Sequence, residues 1–270
     1  MDWDDAYANG PYVPGAAEYP ERWAASAETF RMAQGDRAEV GVAYGTGARQ
    51  LYDLFHPEGS ARGLAVFVHG GYWMKFDRTY WSHLAGGALA HGRAVALPQY
   101  TLCPDAAIPE ITREIASAIN HAAARVDGPL LLAGHSAGGH LVTRMICSGS
   151  DLSPDVSSRI AHVLSISGVH DLRPLMKTAM NETLKLSADQ ARAESPALLE
   201  PKTSAHLTCW VGADERPEFV RQNALLANVW TGFGLETDCV EDPGHNHFTI
   251  IEALADPASE MVRRWLSLQQ

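Results

Sequence analysis

The stretch Leu130 to His140, LLLAGHSAGGH, restricts what this chain can fold into more than any other. Leu130, Leu131, Leu132 and Ala133 make an apolar run too short for a helix and suited to a strand buried on both faces. Gly134-His135-Ser136-Ala137-Gly138 then reads G-x-S-x-G, a strand-to-helix turn with serine at its apex, and Leu141, Val142, Met145 and Ile146 follow at helical spacing. A turn this sharp leaves no room for a Cβ at the flanking positions, which accounts for the glycines. Ser136 should point its hydroxyl out of the sheet, above the positive end of the following helix. The same pentapeptide also occurs as an ordinary glycine-rich turn carrying a solvated serine, so its meaning depends on partners elsewhere in the chain.

Around that turn, strands and helices alternate. Residues near Arg37 to Tyr44 and Gln50 to His56 alternate polar and apolar about Gly45-Thr46-Gly47, the pattern of an antiparallel hairpin. Leu64 to Val68, Ala94 to Leu97, Val163 to Ser167, Leu207 to Val211 and Thr237 to Glu241 read as further strands. Helices are expected around Tyr80 to His91, Ile108 to Val126 and Glu218 to Trp230, and from about Thr249 to Leu268. In the second of these Ile108, Ile111, Ile115, Ile119 and Ala122 share one face, with Pro109 in the first turn. Such alternation predicts an α/β domain: a mostly parallel central sheet of about eight strands with helices on both faces, a single domain over residues 1–270. Two segments stand apart. Residues 1–35 carry Trp3, Tyr7, Tyr12, Tyr19, Trp23 and Phe30 among Pro11, Pro14 and Pro20 without a strand pattern, as an arm that covers either the outside of the sheet or an active site. Residues 171–205 read as a helical excursion forming part of a pocket wall.

Composition narrows the partners. A chain of 270 residues, 46% hydrophobic and 20% charged, can build one sizeable core. Its net charge of -11, with no run of lysine and arginine, argues against nucleic acid and anionic membrane. The acidic, polar start and the lack of a long apolar run predict a soluble cytoplasmic protein acting on a small molecule. Association as a homodimer stays open. Cys103, Cys147, Cys209 and Cys239 are scattered without C-x-x-C and read as reduced core residues. His245 and His247 lack a third cluster of ligands, so neither metal nor cofactor is expected.

A serine nucleophile needs a base, an acid that orients the base, and donors for the oxyanion. Asp214 follows the strand ending Val211-Gly212-Ala213, and His247 follows the last strand, in the chain order serine, acid, histidine. His69-Gly70-Gly71 ends the strand Leu64 to Val68, where the N–H groups of Gly71 and Tyr72 can join that of Ala137 as an oxyanion hole. Each position has a competitor. Asp171 also follows a strand, though Asp-Leu-Arg-Pro looks more like a helix start; Glu215 adjoins Asp214 and is expected to point elsewhere; His245 competes with His247. His135 and His140 flank the serine and read first as packing groups. Tyr72, Trp73 and His135 are the candidates for contact with substrate, with a plain core role as the alternative for the two aromatics.

HGGYW at His69 to Trp73, Tyr-x-Leu-Cys-Pro at Tyr100 to Pro104, GHSAGGHL at Gly134 to Leu141 and SGVHDLRPL at Ser167 to Leu175 together resemble the kynurenine formamidase (arylformamidase) branch of the α/β-hydrolases. The likeness runs from about Tyr52 to Phe248 and leaves out the N-terminal arm. It implies hydrolysis of N-formylkynurenine by a metal-free Ser/Asp/His triad, here Ser136, Asp214 and His247. Bacterial relatives include esterases and thioesterases, so the resemblance points to mechanism more than to substrate, with a short-chain carboxylesterase or thioesterase as the alternative. A non-catalytic binding relative would be expected to lack a triad member, and none is missing. Tyr72, where many esterases have glycine, would crowd the acyl side and favour a small group such as formyl. The carboxylate of formylkynurenine calls for a cation, which Lys75, Arg173 or Lys177 would have to supply.

Overall fold

A computed structural model describes residues 1–266. Eight strands, β1 Ala38–Ala43, β2 Leu51–Phe55, β3 Leu64–Val68, β4 Ala94–Pro98, β5 Leu130–His135, β6 Ile160–Ile166, β7 His206–Gly212 and β8 Thr237–Asp242, form one sheet in the order β1-β2-β4-β3-β5-β6-β7-β8. β2 runs antiparallel to both β1 and β4, and the other pairings are parallel. The expected hairpin and mostly parallel sheet are therefore present. β3, β4 and β5 are buried along their whole length because helices cover both faces, whereas the edge strands β1 and β8 carry partly exposed polar residues.

The two-residue period of the central strands sorts their side chains onto two cores. Leu64, Val66 and Val68 of β3, with Leu130 and Leu132 of β5, meet Ile108, Ile111, Ile115 and Ile119 on one face. Ala65, Phe67, Leu131 and Ala133 meet Trp23, Trp81 and Trp265 on the other. Those four isoleucines are fully buried, and each contributes roughly 1.5–3 kcal/mol of apolar transfer. Their helix, Ile108–Ala123, starts where the Glu110 carboxylate accepts the Ala107 N–H at 2.8 Å. It stops short of Val126: the Arg125 N–H turns to the Ala122 carbonyl at 3.1 Å, and Arg159 satisfies the carbonyls of Ala123, Val126 and Gly128 that the helix leaves open.

Two helical expectations change, and the arm contains a helix that was not expected. The segment around Tyr80 to His91 is made of 3₁₀ turns at Arg78–Tyr80 and Ser82–Ala85 and a short helix Gly86–Ala90. After β8 the chain forms a 3₁₀ segment Ile250–Ala255 and a helix Glu260–Trp265 in place of one long helix. Asp256 between them is extended, as a residue before proline must be; Leu268, the expected end, lies outside the described residues. The arm holds a 16-residue helix, Tyr19–Gln34, that periodicity does not reveal, because only Tyr19, Trp23 and Ala27 form its buried stripe. The excursion 171–205 is helical in short pieces, Arg173–Lys177, Asn181–Leu184, Ala188–Ala193 and Pro196–Leu198. The four cysteines are unpaired thiols; Cys103, Cys147 and Cys209 are buried as expected, but Cys239 is exposed because it lies on the edge strand β8 and not in the core. Among the described residues, no helix is long and apolar enough to cross a membrane.

Candidate active site

β5 delivers the chain into the turn at Ser136, whose backbone sits at φ 55 and ψ -117 before the helix Ala137–Arg144. A Cβ on Gly134 would lie 2.1 Å from the carbonyl oxygen of Gly138, and one on Gly138 would lie 1.9 Å from that of Val68. Strand, helix and the end of β3 are thus in backbone contact, and only glycine permits it. Holding serine in this conformation costs on the order of 1–3 kcal/mol, which the surrounding sheet must sustain. Part of the restraint comes from β6, where the Ile166 carbonyl accepts the Ser136 N–H at 2.8 Å.

His247 lies in the loop after β8, which Asn246 braces by accepting the N–H groups of Phe248 and Thr249 at 2.9 and 3.1 Å. Phe248 packs against Tyr19 and Trp23, and Ile250 and Ile251 are fully buried, so the loop is anchored on the side that follows the histidine. The imidazole is buried beside Phe219 and His135. Its Nδ1 lies 2.6 Å from Oε2 of Glu215. His245, by contrast, uses its carbonyl to accept the Asp214 N–H at 3.1 Å, and its side chain does not line the cavity that holds Ser136 and His247.

The acid on the histidine is therefore Glu215 and not the expected Asp214. β7 ends in a tight turn closed by the Glu215 N–H on the Gly212 carbonyl at 3.2 Å. That turn brings Glu215 back over the strand end and leaves Asp214 exposed at its tip. Oε1 of Glu215 accepts the Gly212 N–H at 2.9 Å and the Ser167 hydroxyl at 2.5 Å, while Oε2 serves the imidazole. Asp171 is engaged elsewhere: Arg173 grips it with two bonds of 2.9 Å. Burial would raise its carboxyl, but those bonds outweigh burial and hold it below the usual carboxylate range.

After β3 the backbone passes through Gly71, Tyr72 and Trp73 at φ 106, 53 and 57. Among the described residues the N–H groups of Gly71 and Tyr72 meet no backbone acceptor, and that of Ala137, first in its helix, has none within the helix. Tyr72 lines the cavity, its hydroxyl donating to the Tyr7 carbonyl and accepting from Asn9 at 3.1 Å. Trp73 does not contact the cavity: it is fully buried and packs edge-on against His140, with ring centres 5.1 Å apart, so its role is core packing. His140 in turn bonds the Glu194 carbonyl. His135 does line the cavity, and its Nε2 lies 2.9 Å from the carbonyl of His247. That contact requires a hydrogen on Nε2, so His135 steadies the backbone of the histidine beside it; burial first, then the charge of His247, hold its pKa well below the ordinary value.

The cavity measures about 730 Å³ and is roofed by the arm, through Tyr7, Asn9, Pro20 and Trp23, with Met74 and Met180 on its sides. Of the two places open to the arm, it takes the one over the cavity that holds Ser136 and His247. Tyr7 ties it down by donating to Glu218 at 2.9 Å and accepting from Gln222 at 3.1 Å. Among the three candidate cations only Lys75 lines the cavity; Arg173 is held by Asp171, and Lys177 lies 5.6 Å over the Trp3 ring.

Residues 65–250 match a family model described as the alpha/beta hydrolase fold. Kynurenine formamidase of Danio rerio is 30% identical over 226 residues, covering 80% of this chain and 76% of the relative. Kynurenine formamidase of Drosophila melanogaster is 29% identical over 237 residues, covering 82% and 78%. A crystal structure from Silicibacter sp. tm1040 that carries a provisional thioesterase name aligns with TM-score 0.93 at 52% identity, over 97% of this chain and 98% of that one. The hyperthermophilic esterase of Pyrobaculum calidifontis aligns with TM-score 0.71 at 17% identity over 93% of each chain, a likeness of fold.

Proposed function

Since this chain belongs to the arylformamidase-like family of the α/β-hydrolases, we propose that it is a serine hydrolase that transfers a small acyl group, foremost formyl from an aryl amide such as N-formylkynurenine, through an acyl-enzyme. The observation that carries this reading is the convergence of strained Ser136 and the Glu215-held His247 on one roofed cavity. Glu215 keeps the proton of His247 on Nδ1, which leaves Nε2 to take the Ser136 proton as the hydroxyl attacks the carbonyl. The developing oxyanion is met by the N–H groups of Gly71, Tyr72 and Ala137. The imidazolium then gives its proton to the leaving amine, and water attacks the acyl-serine with the same histidine as base. Tyr72, pinned by Tyr7 and Asn9, narrows the acyl side, and Lys75 at the cavity is the cation for a substrate carboxylate.

Thioester or short-ester hydrolysis uses the same residues, and the 52% identical neighbour with its thioesterase name favours it as the second reading. Relative kcat/KM on N-formylkynurenine, p-nitrophenyl acetate and an acetyl thioester separates the two. The first reading expects the formyl amide to lead by about tenfold or more, the size of one well-placed discriminating contact; a lead by either ester overturns it. Lys75→Ala is expected to raise KM for N-formylkynurenine several-fold and leave the neutral ester untouched. Glu215→Gln is expected to lower kcat on the ester by about 10⁴-fold, since the imidazole loses its tautomer and the stabilisation of its cation. Asp214→Asn, on an exposed side chain, should stay within about threefold; a reversal of these two results would return the acid role to Asp214.

A further inference from the structure

We propose that Ser167 is a positioning residue for the acid, acting through Glu215 on His247; the proposal rests on the serine-hydrolase reading of this site. Ser167 follows β6 directly and is fully buried. Its hydroxyl donates to Oε1 of Glu215 at 2.5 Å, the oxygen that also accepts the Gly212 N–H. Two donors on one oxygen fix the plane of the carboxyl group and leave the other oxygen facing the imidazole.

The backbone supplies an independent observation. Ser167 sits at φ 51, a region that glycine occupies freely and other residues enter at a cost. Glycine follows at 168 in this chain, yet the position at positive φ holds serine. A side chain kept in an unfavourable conformation, with its one hydroxyl proton spent on the acid, marks a functional constraint more than a packing one. The segment also has a second hold on the site: Ile166, its immediate neighbour, accepts the Ser136 N–H, and the Ser167 N–H donates to the Trp210 carbonyl of β7 at 2.7 Å. One strand end thus sets the register between nucleophile turn and acid turn.

The test compares Ser167→Ala, which removes only the hydroxyl, with Ser167→Gly, which also relieves the backbone and so keeps the fold. Both are assayed with p-nitrophenyl acetate beside Ser136→Ala. The expected result is a kcat about 10- to 100-fold lower with KM changed by less than about threefold, the range of a lost bond to a charged group. Removing the positive end of the hydroxyl dipole favours the imidazolium, so the acid limb of the kcat/KM profile should move to higher pH. Of the titratable groups close to the pair, burial lowers His135 on β5 and raises Tyr72 in the loop after β3, which keeps both neutral. Wild-type kcat and an unmoved limb in Ser167→Gly overturn the proposal. Full turnover in Ser136→Ala would instead overturn the reading of the site itself, and the two failures are thereby distinct.

Discussion

Ser136→Ala is expected to lower kcat by on the order of 10⁵ to 10⁶ while the protein stays folded. On the proposed mechanism the covalent route ends with the hydroxyl, and what would remain is the help that the cavity and the N–H groups of Gly71, Tyr72 and Ala137 give to direct attack by water. Folding should survive because alanine and serine both carry a Cβ, so the strain at φ 55 is unchanged, and the Ser136 N–H keeps its bond to Ile166. The side chain removed is at the cavity and not in either apolar core. Circular dichroism and turnover of p-nitrophenyl acetate check both halves of the expectation. A folded variant retaining a tenth of the activity would remove Ser136 from the nucleophile role.

His247→Ala should lower kcat by about 10⁴-fold or more, and Ser136→Ala/His247→Ala should be scarcely worse than either single change, because on the proposed mechanism nucleophile and base act as one unit. The geometry singles out His247: its Nδ1 meets Glu215 at 2.6 Å, its carbonyl is held by His135, and Asn246 braces the loop from below. His245→Ala is expected to cost little, since His245 contributes its main chain, through the carbonyl that accepts from Asp214. Side-by-side kcat measurements decide between them. A larger loss in His245→Ala, or losses that add in the double variant, would be incompatible with His247 as the base of Ser136.

Much of the architecture could be read from local patterns. The apolar runs of β3 and β5, the hairpin of β1 and β2, and the isoleucines spaced along Ile108–Ala123 each bury a face, so their periods of two and of three to four residues record the packing directly. The glycines around Ser136 record a backbone contact in the same way. The break between Ile250–Ala255 and Glu260–Trp265 is also written in the chain, as Asp256-Pro257, although the apolar spacing runs on across it. The helix Tyr19–Gln34 buries too narrow a stripe to leave a period.

The sequence by itself determined the sheet, the serine turn, the histidine after the last strand and the hydrolase family, because each is set by hydrophobic spacing or by a backbone that only certain residues allow. Only the tertiary structure decided which of the neighbours Asp214 and Glu215 meets the histidine, that Trp73 belongs to the core and Tyr72 to the cavity, and that the arm is a roof. In a tight turn adjacent side chains point in opposite directions without any repeating pattern, so the hydrogen bond that closes the turn chooses between them. The arm is placed by Tyr7 on Glu218 and Gln222, more than two hundred residues away in the chain, and a contact over that distance leaves no mark in local spacing.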